Sequence, residues 1–169
     1  MASATDMAIA RQEIEYLRRR YARATDLIGE GSSDSLAQGR RIYHEIFTAD
    51  ARIRTSLDGE VQLQAEGPDS WVDVAHEALK EYVATQHLVG SQLVELVRLE
   101  TDANGQVRAG EATMTSYLQA WHARADSVWV FIGSYVDQVR HFDGRGWQIH
   151  DMELIQLSSE DRPLGSLSR

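Results

Sequence analysis

The chain contains no cysteine. Disulfides, thiol nucleophiles and thiolate metal sites are therefore excluded. It also lacks an excess of positive charge. Its 17 lysines and arginines face 26 aspartates and glutamates, a formal net charge of −9. Phosphate backbones need a basic face, so no nucleic acid is expected as partner, and no anionic membrane surface either. Long apolar runs are missing: VWVFI (128–132) is the longest and is far too short to span a bilayer. The opening MASATDMAIA has neither the basic start nor the apolar stretch of a secretory signal. A cytoplasmic location is expected. There is no G-x-x-x-x-G-K phosphate loop, and no H-x-H or H-x-x-x-H spacing that would suggest a metal site. No cofactor and no metal are expected.

What remains is a chain of 169 residues, long enough for one domain with a proper core. Residues 1–6 are small and polar and read as a flexible arm. From Met7 to about Ile28, apolar residues at Ile9, Ile14, Leu17, Tyr21, Ala24 and Ile28 recur at helical steps. The RRR run (18–20) between them reads as a solvated face. GEGSSD (29–34) breaks the pattern, with Ser33 or Asp34 as cap of a second helix over about 35–47. Alternation through Ala51, Ile53 and Thr55 predicts a strand, and Asp58-Gly59 predicts a type I′ hairpin. A third helix fits 70–84. Four strands are expected at 87–100, 107–123, 127–142 and 146–158, with residues 159–169 as a C-terminal tail. This order predicts an α+β fold: a curved antiparallel sheet wrapped around three helices, with a conical cavity between them. Such a cavity suits a small hydrophobic cyclic molecule.

The segments IEYLRRRYARATD (14–26), IFTADARI (46–53), TQHLVGSQ (85–92) and HFDGRGWQIHDMEL (141–154) resemble the nuclear transport factor 2-like superfamily. Within it they are similar to the SnoaL-like group, and most to scytalone dehydratases and hexachlorocyclohexane dehydrochlorinases. The resemblance covers about 7–158. It implies a cystatin-like α+β barrel and, from the TQH element with an aspartate late in the first helix, a catalytic dyad of Asp26 and His87. It implies lyase or isomerase chemistry without a cofactor. Two tyrosines of the dehydratases are missing: Thr25 stands at one position and Thr55 at the other. His122 matches a second histidine of that group.

Asp26 lies on the apolar side of the first helix, close to Tyr21 and Ala24. A carboxylate there is costly to bury unpaired, and a histidine could pair with it and serve as a general base. The plainer alternative is an aspartate ending its helix near solvent and a histidine bonded to backbone. On 107–123, His122 shares a face with Met114, Ser116, Leu118 and Ala120. It either contacts substrate or belongs to a rim turn. On 127–142, Trp129, Phe131, Tyr135 and Asp137 share a face. Tyr135 is a candidate donor to a substrate carbonyl. Trp129 and Phe131 read as core that also lines the substrate site, and Tyr21 as a packing residue with a polar tip. His44, His76, His141 and His150 lie in polar surroundings and read as exposed. Three functions stand open: a lyase or isomerase on a small apolar ring, a non-catalytic ligand-binding or dimerisation module, and an oxygenase small-subunit-like role. Both faces of 127–142 are apolar, so a homo-oligomer, dimer or trimer, is expected.

Overall fold

In the computed structural model, which describes residues 2–164, the chain forms three helices and a six-stranded sheet. Helix α1 (Ala4–Glu30) begins at a reciprocal cap. Ser3 Oγ accepts from the Asp6 amide at 3.1 Å, and the Asp6 carboxylate accepts from the Ser3 amide at 2.8 Å. The helix therefore starts three residues before Met7 and absorbs half of the expected arm. Gly31, in the left-handed region at φ 75°, ends it. Helix α2 (Ser33–Ile46) is capped by Ser32, one residue before the expected caps.

Strands β1 (Phe47–Leu57) and β2 (Glu60–Glu66) form the expected hairpin. Asp58 and Gly59 have φ of 52° and 83°, as a type I′ turn requires. Helix α3 (Pro68–Leu79) follows, with proline in its first turn. It ends five residues before the expected end at 84. Then come β3 (Ala84–Thr101), β4 (Val107–Ala123), β5 (Ser127–Phe142) and β6 (Gly146–Pro163). β3 starts before 87, so His87 lies inside the strand. β6 runs past 158 into the segment expected as tail. Residues 165–169 of that tail lie outside the described residues.

The sheet order is β2-β1-β6-β5-β4-β3. The meander β3–β6 is antiparallel as expected, but β1 pairs with β6 in parallel. The sheet is thus mixed, six strands wide, and unclosed: curved around the helices, with β2 and β3 as its two edges. The expectation of a purely antiparallel sheet fails because β1 enters by way of α2 in the direction of β6, and the rest of the chain supplies the long crossover such a pair needs. A register shift beside Ser91, at φ 50°, and another between Ile132 and Gly133 bend β3 and β5.

The core lies between the concave face and the helices. Ile14, Ile28, Tyr43, Phe47, Met114 and Ile149 are at most 1% exposed. One member of this core is unexpected. Arg18, read as part of a solvated run, is fully buried and pairs with fully buried Asp137 of β5. Its neighbours Arg19 and Arg20 do face solvent, pairing with Glu15 and Glu45. Arg18 lies four residues after Ile14 and three before Tyr21, on the buried stripe itself.

Candidate active site

Asp26 and His87 meet across the contact of α1 with β3. Gly29, one turn after Asp26, permits the approach: a Cβ there would lie 2.6 Å from Thr85 Oγ1. His87 Nδ1–H donates to Asp26 Oδ1 at 2.7 Å. The His87 amide donates to the same oxygen at 3.1 Å, and Thr85 Oγ1 donates to it at 3.3 Å. Three donors from one short stretch of strand hold the carboxylate. Proton on Nδ1 leaves Nε2 as the basic nitrogen. The side chains are 7% exposed for His87 and 19% for Asp26. Among the described residues no three His, Asp or Glu side chains gather as a metal site would.

His87 lines a cavity of about 260 Å³, and Asp26 stands behind it. Each residue expected at a substrate site borders this cavity: Tyr21, Thr55, His122, Trp129, Phe131 and Tyr135. Helix α3 supplies Trp71, Val74, Ala75, Ala78 and Leu79 to the remaining wall, and the strands add Leu63, Leu118, Ala120 and Leu154. A larger depression of about 670 Å³ opens at the other end of β5, between Asp50, Arg52, Arg140, Arg145 and His150. Its side chains carry both signs, and the dyad is not part of it.

His122 is buried, its ring 5.5 Å from that of His87 and edge-on to it. Nδ1–H donates to the Trp129 carbonyl at 3.3 Å, so Nε2 is left as an acceptor. Burial, and then the nearby His87, push its pKa down to about 4. His122 is therefore neutral at ordinary pH. It is a buried residue of the cavity wall, and the rim alternative does not hold.

Thr25 and Thr55, at the two positions where the resemblance implies tyrosines, both border the cavity. Thr25 donates to the Tyr21 carbonyl at 2.9 Å, and Tyr43 donates its hydroxyl to Thr25 Oγ1 at 2.7 Å. Tyr43 stacks on Tyr21 with ring centres 5.3 Å apart. The Trp71 indole donates to Tyr21 Oη at 3.1 Å. Sequence reasoning missed Trp71 as a partner of Tyr21, and nothing in their spacing connects positions 50 residues apart. The other histidines divide. His44 is exposed and contacts Asp69. His76 is half-buried, 3.5 Å from the Ile28 carbonyl. His141 and His150 are also half-buried, and burial lowers the pKa of both. The expectation of exposure fails for these three because α1 and the sheet fold back over residues whose neighbours in sequence are polar.

The match to known families can be judged against this geometry. Residues 6–153 match the SnoaL-like domain. The chain belongs to the SnoaL-like family. No match was found among curated proteins. Several solved structures share the fold. A provisionally named scytalone dehydratase from Novosphingobium aromaticivorans has a TM-score of 0.70 and 17% identity over 99% of each chain. A hexachlorocyclohexane dehydrochlorinase, LinA-type3 from Novosphingobium barchaimii, has a TM-score of 0.68 and 12% identity over 98% of this chain and 97% of its own. The β subunit of a provisionally named aromatic-ring-hydroxylating dioxygenase from N. aromaticivorans has a TM-score of 0.62 and 16% identity, over 90% of this chain and 92% of its own. At such identities the likeness is one of fold. The SnoaL-like, nuclear transport factor 2-like fold thus has a provisionally named dehydratase, a dehydrochlorinase and a provisionally named oxygenase subunit among its neighbours. No described helix is long and apolar enough to cross a membrane.

Proposed function

We propose that this chain is a cofactor-independent lyase of the dehydratase type, acting on a small cyclic ketone that carries a leaving group beside its acidic carbon. The observation that carries this reading is the 2.7 Å contact of His87 with Asp26 at the wall of a largely apolar cavity. An imidazole oriented by a carboxylate is a general base. A cavity of about 260 Å³, filled to interior density, takes about 190 Å³ of ligand, the size of one or two rings.

The steps follow from the atoms present. His87 Nε2 takes the proton from the carbon beside the carbonyl. The C–H electron pair forms the enolate, whose oxygen accepts from the Tyr135 hydroxyl. The enolate collapses, the carbonyl re-forms, and a new C=C bond expels the group on the adjacent carbon with its bonding pair. A departing hydroxide takes the proton back from the His87 imidazolium and leaves as water. The dyad then returns to its starting state. His122 Nε2, neutral and unprotonated, accepts from a hydroxyl of the substrate.

Isomerisation by the same base needs only that the proton return to another carbon. A non-catalytic module, including an oxygenase small-subunit-like role, shares the fold but gives no purpose to a three-donor clamp on Asp26. The outer face of the meander supports self-association, since Leu88, Tyr117, Trp121 and Ile132 stand 36–65% exposed on it. The test is a screen of cyclic ketones, hydroxy-ketones and halogenated rings, following loss of the acidic proton by NMR. His87→Ala should lose the exchange that wild type catalyses. Equal exchange in both would remove His87 as the base and favour the binding-module reading.

A further inference from the structure

The proposed chemistry uses the wall of the cavity and leaves the ion pair beneath it unexplained. Arg18 and Asp137 are both fully buried, and Arg18 Nη2 donates to Asp137 Oδ1. The rest of the pair is poorly served. Arg18 Nη1 finds only the Met152 sulfur, at 3.5 Å. Arg18 Nε and Asp137 Oδ2 have no partner among the described residues. A buried pair with unfilled bonding groups is a weak source of stability, and apolar residues of similar size often serve as well. Its surroundings suggest another role. The guanidinium carbon lies 3.7 Å from the centre of the Tyr135 ring and 4.6 Å from that of Tyr21. Both rings border the cavity.

A cation against the face of a phenol draws electron density from the ring and makes its O–H a stronger donor. At Tyr135 the neighbouring Tyr21 and the charges of Asp137 and Asp26 oppose this effect, and the charge of Arg18 supplies it. Burial pushes the pKa of both phenols up, so both keep their protons. The Tyr21 oxygen is already an acceptor for Trp71, which leaves its own proton to give.

We propose that the Arg18–Asp137 pair makes Tyr135, with Tyr21 beside it, an oxyanion-binding donor set, so that the cavity prefers the enolate or phenolate form of a small ring to the neutral form. Arg18 touches no ligand. It is a positioning residue that acts through two phenols, and preorganised donors of this kind are strongest where water is excluded. This deepens the lyase reading and shares with it a ring ligand in this cavity, but it does not need His87 to remove a proton.

The probe is a series of ring-substituted phenols of equal size and graded acidity. It includes 4-nitrophenol, whose phenolate absorbs visible light and whose neutral form does not. In wild type, affinity should rise with phenol acidity, and bound 4-nitrophenol should be phenolate at a pH where it is neutral in solution. Arg18→Met with Asp137→Leu removes both charges at similar volume. This double variant should still bind the phenols while its phenolate preference falls about thirtyfold, the size of one desolvated cation–π contact. Tyr135→Phe keeps the pair, should fold, and should lose the preference too, so it carries the test if the double variant does not fold. An unchanged preference in either variant would overturn the proposal. So would equal affinity for phenol and phenolate in wild type, or no binding of any phenol. His87→Ala separates the two readings. A preference that survives there supports the donors. A preference that vanishes there and persists in the double variant means that the dyad took the phenol proton, which overturns this proposal and leaves the base in place.

Discussion

Acid should destabilise this protein through His122 in a way that can be isolated. Its ring is wedged between Tyr82, with centres 4.9 Å apart, and Trp129, at 4.8 Å. His87 and Arg124 oppose a charge on it, Asp26 and the Trp129 carbonyl favour one, and burial outweighs them all. In the folded chain its pKa is about 4, against 6.5 as the ordinary value. Between these values the unfolded chain holds a proton that the folded chain does not, so stability rises with pH. The contribution is fully present above 6.5 and is lost as pH falls toward 4. The difference of two and a half pK units corresponds to about 3 kcal/mol in all, and about 2 kcal/mol is already lost at pH 5. The perturbation is His122→Phe, which keeps an aromatic ring and removes the titration. Urea unfolding, followed by tryptophan fluorescence at constant ionic strength, gives the stability of both proteins from pH 8 to pH 4.5. Their difference should be constant above pH 7 and then shrink by up to about 1.4 kcal/mol per pH unit, wild type losing more. A difference that stays flat across the range would refute the account of His122 as a neutral, desolvated group. The same neutrality keeps Nε2 of His122 an acceptor facing the cavity.

Asp26→Asn should keep the fold but lose charge support and disturb the His87 tautomer, lowering turnover about a thousandfold or more in steady-state assays. Gly29→Ala would place a methyl against Thr85 on a stiff strand, and should cost about 1–3 kcal/mol in thermal or urea unfolding. Because Thr85 bonds Asp26, activity should fall further than the stability loss accounts for. Light scattering should show a dimer or trimer, and Trp121→Glu on the outer face should shift it toward monomer; a wild-type monomer at every concentration would remove the interface.

Local sequence determined the parts whose causes are local. The Asp58-Gly59 turn and the alternation through 107–142 depend on neighbours a few residues away, and such patterns are readable in a window; the cap at Ser3 and Asp6 is equally local, but the small polar composition of residues 1–6 reads as an arm instead. The α+β class follows from their order. The resemblance added what no window contains, the pairing of Asp26 with His87, and the cavity gathered the other candidates around them. Asp137 and Tyr135 were visibly on one face of a strand, and Arg18 was visibly on the Ile14–Tyr21 stripe. The charge of the RRR run obscured that spacing. Only the tertiary structure decided which arginine turns inward, because burial depends on the sheet that covers the helix. It decided that β1 joins β6 in parallel, because strand pairing depends on which free edge lies within reach. It decided that Thr25 is held by Tyr43 and that Tyr21 accepts from Trp71. These contacts join residues far apart in the chain, and a side chain's partner at such range is set by packing rather than by periodicity.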